Sequence, residues 1–193
     1  MAPSDSYGLV VEGTYDVGVY EELIRRLAGN QVRIVVRDMG GVPNLLKSFY
    51  VILRDLEHGL DDQPVQRVLV VRDADGKDPG TLEDRMHDRL RGETFSFRDG
   101  VRLHAVVQSV ETWLLADAAA ISSVATARGG QAATGVAEEL ESMANPKVVL
   151  ERCLSAAGLV PTPLVYREIG QRLDLPTLRT RCPHYPMFEA KVL

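Results

Sequence analysis

The sequence predicts an α/β protein with a mostly parallel, Rossmann-like sheet of four main strands flanked by helices, followed by a helical C-terminal extension. Two observations favour this class. Short apolar runs alternate with segments of helical spacing over residues 8–120. The runs are also almost continuously hydrophobic, which is typical of parallel strands that are buried on both faces.

Four apolar runs are the expected strands, and we place them near residues 8–12, 32–37, 67–72 and 102–107. The most strand-like of them is Val68-Leu69-Val70-Val71, which is short, apolar and rich in β-branched valine. Each run is separated from the next by a segment with helical spacing, so neighbouring strands are expected to be joined by crossover helices.

The helices can be assigned from spacing and from residues that favour helix ends. A helix should follow the first strand, with Thr14 or Asp16 capping its start and Gly29 ending it. Pro43 is expected in the first turn of the second helix. Further helices are expected over residues 81–91, 109–120 and 145–157, with short helices within 161–193.

The composition bounds the size and the surroundings of the protein. A chain of 193 residues, 45% of them hydrophobic, can form one compact domain. We divide it into a core, residues 1–125, and a helical extension, residues 126–193, packed on the same domain. With two cysteines in no CxxC spacing, no secretory signal pattern and no run of about 18 apolar residues, we expect a cytoplasmic protein without a membrane segment or structural zinc.

The net charge of −5 gives no support for nucleic-acid binding through bulk charge, because a basic face is the usual footprint of such proteins. Contact with a phosphate backbone would have to come from local arginines or from bound metal ions. The oligomeric state is left open.

Acidic residues lie at the ends of the expected strands. Glu12 ends the first strand, and Glu111 lies just after the fourth. Asp73 and Asp75 end the third strand, and an extended chain there would send both side chains to the same side. Ligands of parallel sheets collect beyond the carboxyl ends of the strands, so these four carboxylates should face one rim.

A carboxylate rim of this kind suits magnesium or manganese, which prefer hard oxygen ligands. Clustered carboxylates repel one another, and a divalent cation is the natural way to hold them together. The cation would polarise a phosphate oxygen or activate a water molecule. A lone DxDG can also be an ordinary turn after a strand, and Glu12 at the matching rim position shifts the balance towards a site.

The motifs resemble those of TOPRIM domains. VVEGTYD, residues 10–16, is similar to their strand-one motif, and VVRDADG, residues 70–76, is similar to their DxD motif. Ser109-Val110-Glu111 resembles the SxE motif of the OLD-family nuclease branch. VETWLLAD, residues 110–117, and NPKVVL, residues 145–150, resemble segments of small stand-alone TOPRIM-like proteins, some of them encoded beside ATPases in phage-defence loci.

The resemblance implies a role for each acidic residue. Glu12 would be a catalytic acid/base or a metal ligand, and Asp73 and Asp75 would be catalytic metal ligands. Glu111 would add a ligand in a two-metal arrangement. Asp16 matches a frequently acidic position of the same motif and is included among the metal ligands, although an acidic residue in a first helical turn is also stabilising by itself.

Two basic residues lie near these motifs. OLD-type nucleases use a late lysine to neutralise transition-state charge, and Lys147 after Asn145-Pro146 is a weak match to it. An exposed lysine on a solvated face is the competing interpretation. Arg72 should alternate away from Asp73 if the strand stays extended, so we leave it out of the site.

The resemblance implies a Mg²⁺- or Mn²⁺-dependent endonuclease that hydrolyses phosphodiester bonds in DNA or RNA, in phage defence with an ATPase partner. The chain has no GxxxxGK[ST] signature, so that ATPase would be supplied in trans. The alternative is a non-catalytic TOPRIM-like module that binds nucleic acid or a partner.

A type of phosphatase also uses DxDG, with the first Asp as nucleophile and the second as general acid. It needs a further acidic pair on later strands, and after residue 76 no DD or DxxxD lies at an expected strand end. A glycosyltransferase DxD would need a nucleotide-sugar pocket, for which the sequence has no matching signal.

Overall fold

The computed structural model describes residues 5–59, 63–137 and 139–193. It confirms the predicted class: four parallel strands form one sheet in the order β2-β1-β3-β4, with helices on both faces and several helices at the C-terminal end. The strands lie where the sequence predicts them, with ends shifted by one or two residues. They are β1 (Ser6–Val11), β2 (Arg33–Asp38), β3 (Arg67–Asp73) and β4 (Val101–Val106).

Nine α-helices and one short 3-10 turn, Leu140–Ser142, are found in the described ranges. The helices are α1 (Thr14–Ala28), α2 (Val42–His58), α3 (Pro79–Arg89), α4 (Val110–Ala116), α5 (Ala118–Ala127), α6 (Pro146–Ala156), α7 (Pro163–Arg172), α8 (Leu175–Arg181) and α9 (Tyr185–Val192). Gly29 ends α1 and a proline lies in the first turn of α2, both as predicted.

The central strands β1 and β3 divide the hydrophobic core between the two faces of the sheet. Side chains alternate along a strand, so Leu9 and Leu69 point to one face while Val10 and Val70 point to the other. The first face is covered by α1 and the C-terminal helices, and the second by α2 and α3. Burial on both faces explains why these runs lack polar residues.

The C-terminal helices complete the larger part of this core. Trp113 of α4 is almost fully buried, and its ring centroid lies 5.1 Å from those of Tyr185 and Phe188 in α9. The hydroxyl of Tyr7 in β1 donates to the carbonyl of Val192 at 2.7 Å. Residue 125 lies within α5, and the helices on either side of it share one hydrophobic cluster.

Two local predictions are wrong. Either Thr14 or Asp16 was predicted to cap α1, but both lie inside its first turn. Gly13 occupies the cap position and makes no side-chain cap bond. The helix predicted over residues 109–120 is broken at Asp117 into α4 and α5. Asp117 leaves helical geometry because its carboxylate accepts hydrogen bonds from the backbone N–H groups of Ala119 and Ala120.

Asp117→Ala should lower the stability of the protein without reducing metal binding. The Asp117 Oδ1 atom caps α5, and its Oδ2 atom accepts from the backbone N–H of Asp174 at 2.8 Å, which joins α5 to α8. Loss of these bonds should cost about 2 kcal/mol and lower the melting temperature by roughly 4–8 °C. Thermal denaturation measures this, and an unchanged melting temperature would contradict the assigned cap.

Across the three described ranges, no helix combines the length and the apolar character needed to cross a membrane.

Candidate functional site

A cavity of about 780 Å³ opens at the carboxyl ends of β1, β3 and β4. Acidic side chains from three separate segments line it, and they are the five that the sequence singled out: Glu12, Asp16, Asp73, Asp75 and Glu111. The structure therefore brings all the predicted metal ligands to one cavity, while their roles stay predictions.

The register of the sheet explains why Glu12 and Asp73 lie close together. Strands β1 and β3 are adjacent and parallel, with Val10 opposite Val70. Glu12 directly follows β1, and Asp73 is the last residue of β3, so both leave the sheet at the same edge. Asp16 and Glu111 reach this edge from the first turns of α1 and α4, the helices that follow β1 and β4.

Asp75 reaches the cavity through a turn, and the extended backbone that was predicted for it is not found. It has a left-handed backbone, with φ of 49°, and Gly76 follows with φ of 76°. The N–H of Ala74 donates to the carbonyl of Val106, and the N–H of Asp75 donates to that of Gln108, both at 2.9 Å. These bonds fix the turn to the connection between β4 and α4, which carries Glu111.

The loop between β2 and α2 supports the chain at Glu12. The Gly41 N–H donates to the Glu12 carbonyl at 2.6 Å, and the Met39 N–H donates to the Val11 carbonyl at 3.0 Å. Gly40 and Gly41 have φ of 65° and 117°, values that residues with a Cβ rarely adopt. The glycine pair therefore lets the loop fold against the strand end, where both residues line the cavity.

Burial and mutual repulsion raise the pKa of three of these carboxyl groups. Burial, with Glu111 and Glu12 close by, raises the pKa of Asp16 to about 7. Burial raises the pKa of Glu12 to about 7, against the opposing charge of a nearby arginine. The pKa of Asp73 lies well above its usual range because Asp73 is buried and has Asp16, Glu111, Glu12 and Asp75 around it.

Several buried oxygens at the cavity lack hydrogen-bond partners. They include Oε1 of Glu12, Oδ1 of Asp73 and the hydroxyl of Ser109. Unpaired buried carboxylate oxygens are costly, and a hard divalent cation would satisfy them. No three His, Cys, Asp or Glu side chains among the described residues are arranged around a single cation position, so binding a cation would draw the carboxylates inward. The donor set fits Mg²⁺ or Mn²⁺.

Arg72 contacts the carboxylate cluster through Glu12, although it was predicted to lie outside the site. Its side chain is 2% exposed, and its Nε lies 3.5 Å from Oε1 of Glu12. Its Nε also donates to the carbonyl of Asp73 at 3.3 Å. The guanidinium thus provides a buried positive charge beside the carboxylates. The register of β1 and β3 accounts for this contact: Glu12 lies opposite Arg72, two residues beyond the Val10–Val70 pair, so alternation sends both side chains to the same face.

Two tyrosines also lie at the cavity, Tyr15 beside Asp16 and Tyr166 from a distant segment. Neither was predicted as a site residue. The buried Tyr166 hydroxyl of α7 donates to Oε1 of Glu111 at 3.3 Å. The Tyr15 ring lines the cavity and contacts the Tyr166 ring edge-on at 5.1 Å. Lys147 also lines the cavity, and its Nζ lies 5.9 Å from the Tyr15 ring centroid. No local pattern around Tyr166 links it to Glu111, 55 positions earlier.

The chain belongs to the family described as "Domain of unknown function (DUF4276)", whose model matches residues 11–193. No curated protein matches it. Among solved structures, it is similar to hypothetical protein PH0156 from Pyrococcus horikoshii OT3, with a TM-score of 0.56 and 17% sequence identity. That match covers 98% of this chain and 100% of the other. At this identity the likeness shows the fold alone.

Proposed function

We propose that the protein is a metal-dependent nuclease that hydrolyses phosphodiester bonds in DNA or RNA with Mg²⁺ or Mn²⁺. One observation carries the proposal: five carboxylates from three segments line one cavity, and two of them have buried oxygens without hydrogen-bond partners. A bound divalent cation would offset their repulsion and supply Lewis acidity and an activated water.

The chain's own residues would divide the remaining work. Asp73, Asp75 and Glu111 would hold the cation, and Tyr166 would orient Glu111 through its hydrogen bond. Glu12 would bind the cation or exchange a proton with the attacking water. Its raised pKa, at about 7, suits proton transfer near neutral pH.

Arg72 would assist in two ways. Its positive charge beside Glu12 limits the rise of that carboxyl group's pKa. The same charge would also help to neutralise the phosphate as negative charge develops in the transition state. Asp16 lies in the same cavity and would complete the ligand set.

We also propose that an ATPase acts on this nuclease in trans. This part of the proposal is supported by the resemblance to proteins encoded beside ATPases and by the lack of a phosphate-loop signature in the chain. The ATPase would restrain or trigger cleavage. Co-purification with the product of a neighbouring gene would test it. A rate of cleavage by the purified protein that the added ATPase neither raises nor lowers would contradict it.

The direct test is cleavage of supercoiled DNA and of mixed RNA by the purified protein, with Mg²⁺ or Mn²⁺ and, in parallel, with EDTA. We expect cleavage that depends on the cation and disappears in EDTA. An Asp75→Ala variant that folds normally should be inactive. Activity that survives this substitution would assign the cleavage to a contaminant. If the wild type cleaves nothing, even with its ATPase, a non-catalytic binding module is the better account.

A further inference from the structure

The cavity is bounded on one side by a segment from the C-terminal part of the chain. Residues 142–148, here called the roof segment, contribute six cavity-lining residues. The roof segment leads into α6, which packs on α4 through the buried side chains of Leu150 and Leu154. The carboxylates therefore lie in a half-open pocket with the volume of a small-molecule site.

An exposed aromatic ring lines this acidic pocket. Tyr15 is 38% exposed, and Val148 of the roof segment is 44% exposed. The Tyr15 ring is held in place by its edge contact with Tyr166 and by its hydroxyl, which donates to the Pro161 carbonyl at 3.4 Å. Cation binding alone does not require an aromatic surface beside the carboxylates. A fixed, exposed ring of this kind suits the face of a nucleobase.

Several helices point their N-termini at the pocket. Gly13, Gly41 and Asn145, the cap residues of α1, α2 and α6, line the pocket and make no side-chain cap bond. Side chains do cap four other helices, α3, α5, α7 and α8: Asp78, Asp117, Thr162 and Asp174. In α1 the Asp16 carboxylate already accepts from the Gly13 backbone N–H. The first turns of α2 and α6 contain no acidic residue, so their N-termini favour an anion, phosphate above all.

A second observation at the same place points to a bound group. Ser109 lines the pocket, is 7% exposed, and has a hydroxyl without a hydrogen-bond partner. A buried hydroxyl normally finds a partner, so this one is available to a ligand oxygen or its water.

The charge of the pocket limits how much of a polynucleotide it can hold. Among the described residues that line it, Lys147 is the one lysine or arginine, against five carboxylates. Proteins that track a duplex neutralise several phosphates with basic side chains. One phosphate, held by the cation and the helix N-termini, is what this lining can accommodate.

We infer that the pocket takes one unpaired nucleotide unit, from a single strand or as a free nucleotide. The base would lie against Tyr15 and Val148, and the phosphate would face the cation and the helix N-termini. This inference rests on the proposed function and names the substrate class within it: unpaired nucleic acid and not duplex.

Binding in Ca²⁺, a hard cation that carboxylates bind, is the test, measured by fluorescence anisotropy with a labelled single strand and with a blunt hairpin duplex. The single strand should bind at least about tenfold more tightly. Tyr15→Ala should weaken single-strand binding about tenfold, and Tyr15→Phe should keep it within about twofold. Tyr50→Ala is the matched control, because Tyr50 is 44% exposed on α2 and does not line the pocket. Melting temperatures verify that each variant is folded.

Competition identifies the recognised unit. Thymidine monophosphate should displace the single strand, whereas ribose 5-phosphate, which has the phosphate without the base, should displace it poorly. Equal binding of duplex and single strand, equal loss in Tyr15→Ala and Tyr50→Ala, or equal competition by the two phosphates would overturn the inference, as would no binding of any probe.

Failure of this inference can be distinguished from failure of the nuclease proposal. Cation-dependent cleavage of duplex DNA without any effect of Tyr15→Ala would leave a nuclease with a different substrate. Base-dependent binding with no cleavage in Mg²⁺ or Mn²⁺ would leave a nucleotide site without nuclease activity.

Discussion

Asp73→Asn should abolish cation-dependent cleavage and, in the absence of metal, raise the melting temperature. Asp73 lies among four other carboxylates, and its Oδ1 has no hydrogen-bond partner. Loss of a central ligand should reduce kcat at least about 100-fold, because the cation no longer polarises the phosphate. The amide cannot ionise, whereas ionisation of Asp73 is opposed by its burial and by the neighbouring carboxylates. The substitution should therefore raise the melting temperature in EDTA by a few degrees at pH values where the wild-type cluster becomes charged.

Asp88→Asn is the matched control. Asp88 is exposed on α3 and makes a surface ion pair with Arg91, which contributes little to stability. It should change neither cleavage nor melting temperature measurably. Cleavage kinetics, Mn²⁺ titration calorimetry and thermal denaturation in EDTA give the three readouts. Unaltered Mn²⁺ binding by a folded Asp73→Asn variant would remove Asp73 from the proposed ligand set.

The meeting of the acidic residues could be predicted because it follows from strand order and direction. Apolar runs identified β1 and β3, and residues that follow parallel strands collect at one edge. The alternation of strands and helices was therefore enough to predict that Glu12 and Asp73 lie close together. Glu111 followed in the same way, since it lies just after β4.

Other parts of the site depend on contacts that local sequence patterns do not encode. Arg72 contacts Glu12 because the register of β1 and β3 places them side by side, and Tyr166 reaches Glu111 from the C-terminal helices. The left-handed turn at Asp75 is fixed by backbone bonds to the connection after β4, and not by Asp75 itself. Asp117 ends α4 and caps α5. The apolar residues on both sides of it led to the prediction of one continuous helix. The contacts of Arg72, Tyr166 and Asp75 join segments that are distant in sequence, whereas the Asp117 cap is local.

The metal-free protein should lose thermal stability as the pH rises from about 5 to about 8. Glu12 and Asp16 have pKa values of about 7 in the folded protein and about 4 in the unfolded chain, and the pKa of Asp73 is also raised. The folded state therefore binds more protons than the unfolded state between these values. This contribution to stability is complete below the unfolded pKa and is lost as the pH rises through the folded pKa. We expect a fall of roughly 5–10 °C in EDTA.

Asp16→Asn isolates the carboxylate contribution to this fall. His104 acts in the opposite direction, because burial lowers its pKa and the unfolded chain takes up a proton below about 6.5. His104 is the same in both proteins, so the difference between their melting profiles cancels it. Asp16→Asn should show a shallower loss than the wild type, and Asp88→Asn should show the full loss.

Added cation should reverse the loss at high pH. Mg²⁺ or Mn²⁺ binds the ionised carboxylates of the folded state, so about 10 mM metal should raise the wild-type melting temperature more at pH 8 than at pH 5. If Asp16 is a ligand, the gain at pH 8 should be smaller in Asp16→Asn. An equal rise in the melting temperature of the wild type and of Asp16→Asn would show that Asp16 is not a ligand. Asp16 would then be an acidic residue that stabilises the first turn of α1. A wild-type protein whose stability in EDTA rises steadily to pH 8, with Asp16→Asn parallel to it, would show that the carboxylates do not repel one another in the folded state.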